Sequence, residues 1–152
     1  MKNLLRNISK EGGQGLIEFA VAVPVLLTIV LGICSFGLVL NHYLQLTNAT
    51  NVSAQQLSIS RGQTSDPCAT AATAFYSAAP YLTHSSLNFT IALNGTNVWG
   101  PAGGSPTCTS ATLAANQLAQ VTVTYPCSFT FIYGVKIASS CTLRAQTAEA
   151  IQ

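Results

Sequence analysis

The sequence predicts an α+β protein: a long N-terminal transmembrane and stalk helix, then a small domain of one or two helices packed on an antiparallel sheet of three to five strands. Three observations carry this expectation. Phe19–Leu40 is an uncharged, mostly apolar run of 22 residues. Asp66-Pro67 pairs an N-cap acid with proline at the first helical position. Beyond residue 85 the apolar residues recur every second position, the period of a strand. The chain therefore divides into a basic segment at 1–13, a helix at 14–61 and an extracytoplasmic α+β domain at 62–152.

Composition narrows the classes of function. Of 152 residues, 49% are hydrophobic and 7% charged, against roughly 25% charged in an ordinary soluble domain. Such a chain is built for lipid or for close packing in an assembly. The net charge is +2, and no Lys/Arg cluster occurs beyond the first ten residues, so nucleic acid is not an expected partner.

The N-terminal elements follow from charge and length. Lys2, Arg6 and Lys10 precede the apolar run, and after Glu18 no charged residue occurs until Arg61. Under the positive-inside tendency the N-terminus faces the cytoplasm and the bulk of the chain faces out. At 1.5 Å per residue the run makes about 33 Å of helix, enough for a hydrocarbon core of about 30 Å. It is too long for a secretory h-region of about 7–15 residues and lacks an A-x-A-like exit. Leu31-Gly32-Ile33-Cys34 resembles a lipoprotein cleavage box, but Ile33 stands where a small residue is needed and the cysteine lies too deep in the run. Pro24 removes one helical hydrogen bond and kinks or loosens its turn. Gly32 and Gly37 let another helix approach, and Cys34 is expected to pack as a small hydrophobe. Asn41–Arg61 contains no Gly or Pro and continues the helix as a polar stalk, with Leu44, Leu46, Val52, Leu57 and Ile59 on one broad side. Gly62 is the expected stop.

The next helix runs from Pro67 to Ala79, with Cys68, Ala72, Phe75 and Ala79 on one face and Pro80 ending it. Leu87, Phe89, Ile91 and Leu93 then alternate with polar or small residues, Asn94-Gly95 is a two-residue hairpin turn, and Thr96–Trp99 returns. Pro101–Pro106 is a loop. Ala111–Gln120 is expected to form a short helix. Val121, Val123 and Tyr125 mark a strand, Phe129, Phe131 and Tyr133 another, and Cys141, Leu143 and Ala145 open a last one ending near Ile151.

Cys68, Cys108, Cys127 and Cys141 form an even set beyond the membrane run, which in an exported domain reads as two disulfides. Three pairings exist; Cys68–Cys108 with Cys127–Cys141 is preferred because sequence neighbours close the smaller loops. Zinc is the rival use of these thiols, but no C-x-x-C spacing occurs and His42 and His84 lie far away in sequence. No metal, cofactor or catalytic residue is assigned. The chain has no G-x-S-x-G, H-E-x-x-H or phosphate loop, Asp66 is better explained as a cap than as a base, and an enzyme is not expected. Five N-x-S/T triplets, at Asn7, Asn48, Asn51, Asn88 and Asn94, are attributed to chance in a chain rich in Asn, Ser and Thr.

One segment points to chemistry: Gly12-Gly13-Gln14-Gly15-Leu16-Ile17-Glu18-Phe19. An acid in a membrane helix costs about 2.5–3.5 kcal/mol at the bilayer centre and less near its edge, so it normally has a partner. Cleavage after Gly13 would give Gln14 a positive amine one helical turn before Glu18. At 4 Å and an effective dielectric near 20, that attraction is about 4 kcal/mol before desolvation is subtracted. The alternative is a fortuitous interfacial acid on a plain membrane anchor.

The stretch GGQGLIEFAVAVP resembles the processing site and helix of type IV prepilins, most closely the TadE-like minor pilins or pseudopilins of tight-adherence (type IVb, Flp-type) pili. Gly13, Glu18 and Phe19 match the glycine before the cut, the glutamate five residues beyond it and the aromatic that follows. Glu18-Phe19-Ala20 to Pro24, and Tyr43–Ala49, also resemble the family. Gln14 stands where major type IV pilins carry Phe or Met. The resemblance implies a prepilin leader at 1–13 and a cut between Gly13 and Gln14 by a membrane aspartyl prepilin peptidase, for which glycine lets the backbone lie extended. It also implies assembly through Glu18, with other pilins and pseudopilins and an inner-membrane platform driven by its ATPase as partners. The expected function is a structural one, assisting assembly of a tight-adherence pilus in adhesion or secretion. The expected location is the inner (cytoplasmic) membrane, in contact with lipid, single-pass, N-terminus in and domain out. The alternative is a membrane-anchored, adhesin-like binding domain that never enters a filament.

Overall fold

A computed structural model of the chain describes residues 2–100, 108–127 and 141–152. It is α+β, with one long helix carrying a small domain of a second helix and a four-stranded antiparallel sheet. Helix α1 spans Lys2–Ile59 without interruption, through Pro24, so the expected stalk is a continuation of the membrane-type helix. The hydroxyl of Thr28 donates to the Pro24 carbonyl at 2.8 Å. The helix stops where expected: Gly62 adopts φ +71°, and Gln63 N–H turns back onto the Ser60 carbonyl at 3.1 Å.

The stripe of α1 that meets the domain differs from the one expected. Leu46, Ala49, Thr50, Ser53, Ala54 and Leu57 are buried, whereas Leu44, Val52 and Ile59 are exposed. The buried set follows the i, i+3, i+4 spacing of one helical face, and small residues rather than bulk define it because a second helix packs there. That helix, α2 (Pro67–Ala78), begins at the expected pair. The Asp66 carboxylate accepts the Ala69 N–H at 3.0 Å. Ala79, expected as its last residue, is the C-cap. Cys68, Ala71, Ala72, Phe75 and Ala79 are buried, and the Ser53 hydroxyl donates to the Ala71 carbonyl at 2.9 Å across the helix pair.

The sheet has the order β2-β1-β3-β4, with β1 at Asn88–Leu93, β2 at Thr96–Trp99, β3 at Leu118–Cys127 and β4 at Cys141–Ala150. Asn94 and Gly95 form the β1–β2 turn, both with positive φ (49° and 83°), the geometry that asparagine-glycine hairpins favour. Alternate residues Phe89, Ile91, Leu93, Ala119, Val121, Val123 and Ala145 are buried. They join Leu46, Leu57 and Phe75 in one core, in which the Phe75 and Phe89 rings lie 5.3 Å apart. Pro126 fits in β3 because β1 pairs no further than Thr124, which leaves β4 as its one neighbour among the described strands.

The short helix expected over Ala111–Gln120 is not formed. A single 3-10 turn covers Ser110–Thr112, and β3 begins at Leu118. Pairing with β4 outweighs local helix propensity here: Asn116 N–H donates to the Ile151 carbonyl, and Ile151 N–H to the Gln117 carbonyl, each at 2.9 Å. Ala119, Val121 and Val123 are then buried with the period of a strand. The expected loop at Pro101–Pro106 and the strand at Phe129, Phe131 and Tyr133 lie outside the described residues.

Candidate functional site

The N-terminal half of α1 projects beyond the domain. Leu16, Ile17, Phe19, Val21, Val25, Leu26, Ile29, Ile33, Phe36 and Leu38 are all at least 58% exposed. Only Val23, Gly32, Ser35 and Val39 between Gly15 and Leu40 are half-buried. Among the described residues this is the one helix long and apolar enough to cross a membrane, and none of its most apolar stretch is buried. A soluble core helix would be covered by its own protein; none of the described residues covers this one, and an exposed apolar surface of this length suits lipid or other helices.

The predicted residues fall on this helix in a defined order. The Gly13–Gln14 bond lies within α1, Glu18 follows one turn beyond Gln14 on an exposed stretch, and Phe19 beside it is 68% exposed. Pro24 lies six residues past Glu18 within the same unbroken helix. Cys34, expected to pack as a small hydrophobe, is instead an exposed free thiol among the described residues.

The other candidates form two staples in the domain. Cys68 is bonded to Cys108 with Cα atoms 5.6 Å apart, and Cys127 to Cys141 with Cα atoms 5.0 Å apart. This is the pairing preferred from the sequence. The first fastens the opening turn of α2 to the chain ahead of β3, and Cys68 N–H donates to Cys108 Sγ at 3.1 Å. The second joins directly opposed residues at the end of the β3–β4 ladder. Asp66 stands beside the first pair, but both sulfurs there are committed to each other. The Asp66 carboxylate is occupied by the Ala69 and Cys108 N–H groups.

Sequence reasoning did not foresee how the helix meets the sheet. The His42 and Tyr125 rings meet edge to face with centroids 5.8 Å apart, above a cleft of about 220 Å³ lined by Leu38, Val39, His42, Tyr125, Pro126 and Cys127. No local pattern links positions so far apart in the chain. His84 stacks on Tyr76 at 4.7 Å, and Tyr81 is 81% exposed.

Against this geometry, residues 13–55 match the family model described as TadE-like protein. The match is confined to that segment, which begins at Gly13 and ends four residues before α1 does. No match to the chain is found among curated proteins or among solved structures.

Proposed function

We propose that this chain, TadE-like over residues 13–55, is a minor pilin or pseudopilin that assists assembly of a tight-adherence pilus. One observation carries the reading: the TadE-like segment coincides with a helix whose apolar half is exposed along its length, with Glu18 one turn beyond Gln14. Such a surface suits two successive environments, the inner membrane before assembly and neighbouring helices afterwards. In the membrane state the helix crosses once, with its basic end in the cytoplasm and the domain outside.

Processing takes place between Gly13 and Gln14. That bond lies within α1, so a peptidase that binds extended backbone must first open a turn. Gly12, Gly13 and Gly15 each weaken the helix by about 1 kcal/mol relative to alanine, which keeps that turn easy to unwind. The cut removes the basic leader and leaves an ammonium on Gln14, able to pair with Glu18 of its own or a neighbouring chain. The role is structural rather than catalytic. The prepilin peptidase, other pilins and pseudopilins, and the assembly platform with its ATPase are the partners.

Mass spectrometry of the mature N-terminus tests the reading. A chain beginning at Gln14 is expected, with Gly13→Leu accumulating as full-length precursor. Normal shortening of Gly13→Leu would overturn the assigned cut. A wild-type chain that still begins at Met1 would favour a membrane-anchored binding domain instead.

A further inference from the structure

Three contacts set the height of the sheet along α1. Tyr125 meets His42; Thr147, paired with Val121, hydrogen-bonds Asn51; and Gln152 N–H donates to the Ser58 carbonyl at 3.1 Å. Strand β3 therefore runs antiparallel to α1, nearly along its axis. The spacings agree: nine helical residues from His42 to Asn51 rise about 13.5 Å, and four strand residues from Val121 to Tyr125 cover about 13.5 Å. Two further residues carry β3 to Cys127, about 7 Å lower, which is level with Leu38. The cleft lined jointly by Leu38, Val39 and Cys127 places them at the same height.

Leu38 lies inside the apolar run that ends at Leu40. From this coincidence of levels we infer that the lower end of the sheet, formed by Tyr125, Pro126 and the Cys127–Cys141 disulfide, rests in the outer-leaflet interface of the bilayer beside Leu38–His42. The inference rests on reading α1 as the membrane span. The chemistry of this end suits a lipid surface. Tyr125 is half-buried and Pro126 exposed, and tyrosine favours the boundary between hydrocarbon and headgroups. The disulfide adds no charge. Arg144, opposite Thr124 and exposed, stands one residue above Tyr125, at the height of lipid phosphates, where a long cationic side chain can snorkel. A domain seated in this way holds α1 at a fixed depth and must be lifted off the lipid when the subunit is drawn out of the membrane.

The test uses the mature full-length chain at low density in phosphatidylcholine vesicles carrying brominated acyl chains. Trp99 is the chain's one tryptophan and lies level with Val121 through the pairs Trp99↔Ile91 and Ile91↔Val121, about 13.5 Å above Tyr125. It serves as the high reference. On a Trp99→Phe background, Tyr125→Trp and, separately, the exposed Pro126→Trp report the lower end, and Leu31→Trp reports the span. Bromolipid should quench Tyr125→Trp and Pro126→Trp at least threefold more than native Trp99, and Leu31→Trp most of all. Strong quenching of Leu31→Trp with both lower reporters no more quenched than Trp99 would overturn the inference and leave the span intact. Lower reporters shielded from bromolipid and from aqueous iodide alike would place a second copy of the chain there and also overturn it. An unquenched Leu31→Trp would remove the span itself, and the inference with it.

Discussion

Asp66 holds Cys108 in place across 42 residues of sequence: its carboxylate accepts the Cys108 main-chain N–H at 3.3 Å. The same oxygen accepts the Ala69 N–H at the start of α2. A single side chain thus caps a helix and positions one half of a disulfide, so the α2 start and the Cys108 strand approach are coupled.

Asp66→Ala should therefore destabilise the domain by about 1–2 kcal/mol, the cost of losing an N-cap together with a second acceptor. Asp66→Asn, which keeps an acceptor oxygen, should lose less than half of that. Denaturant unfolding of the mature chain in detergent, followed by near-UV circular dichroism, gives both values. Equal losses in the two variants would show that charge rather than capping matters.

The disulfides should contribute unequally. Cys68 and Cys108 are separated by 40 residues, Cys127 and Cys141 by 14. On the chain-entropy account the longer loop constrains the unfolded state more, with losses of about 3–4 kcal/mol for a Cys68→Ser/Cys108→Ser pair and about 3 kcal/mol for Cys127→Ser/Cys141→Ser. The same unfolding measurement ranks them. The first pair should also give the larger loss because it anchors the buried start of α2.

Of Gly15, Gly37, Gly62, Gly95 and Gly100, Gly100 is the one the fold can least replace. At φ +125° an added Cβ would sit 2.6 Å from the Phe89 carbonyl oxygen and 3.1 Å from Thr90 Cα, both backbone atoms that cannot swing aside. Gly100→Ala should cost at least about 2–3 kcal/mol. Gly62→Ala, at φ +71° with open space around the added atom, should cost only about 1–2 kcal/mol. Thermal melts of the two variants compare them directly, and a reversed order would contradict the close approach at Gly100.

Glu18→Ala should be processed and exported like wild type, because the leader charges, Gly13 and the apolar run are untouched. It should assemble poorly, because the acid proposed to pair with a Gln14 amine is gone. Membrane fractionation together with pilus yield in a complementation strain separates the two effects. Wild-type yield from Glu18→Ala would remove the proposed registration.

Much of the fold could be read from the chain. The helix start at Asp66-Pro67, the Asn94-Gly95 turn and the period-two runs at Phe89–Leu93 and Val121–Tyr125 are local signals, and each lies where the backbone uses it. The disulfide pairing followed from the shortest-loop preference. The failures have a common cause. Ala111–Gln120 has acceptable helix propensity, yet its last residues are needed in β3 opposite Ala148–Ala150. The inner face of the stalk is marked by Ala49, Ser53 and Ala54 rather than by its leucines alone, because the approach of α2 rewards small residues that hydropathy does not single out.

By itself, then, the sequence determined that the chain has a long apolar helix with an acid near its start, a glycine pair before it and a disulfide-bearing α+β domain after it. These are properties of composition, charge order and short-range periodicity, which need no knowledge of what lies across space. Only the tertiary structure decided the height of the domain on that helix, with Tyr125 against His42 and Cys127 beside Leu38. Contacts between residues more than eighty positions apart depend on how the sheet packs along the helix, and no local pattern encodes that distance.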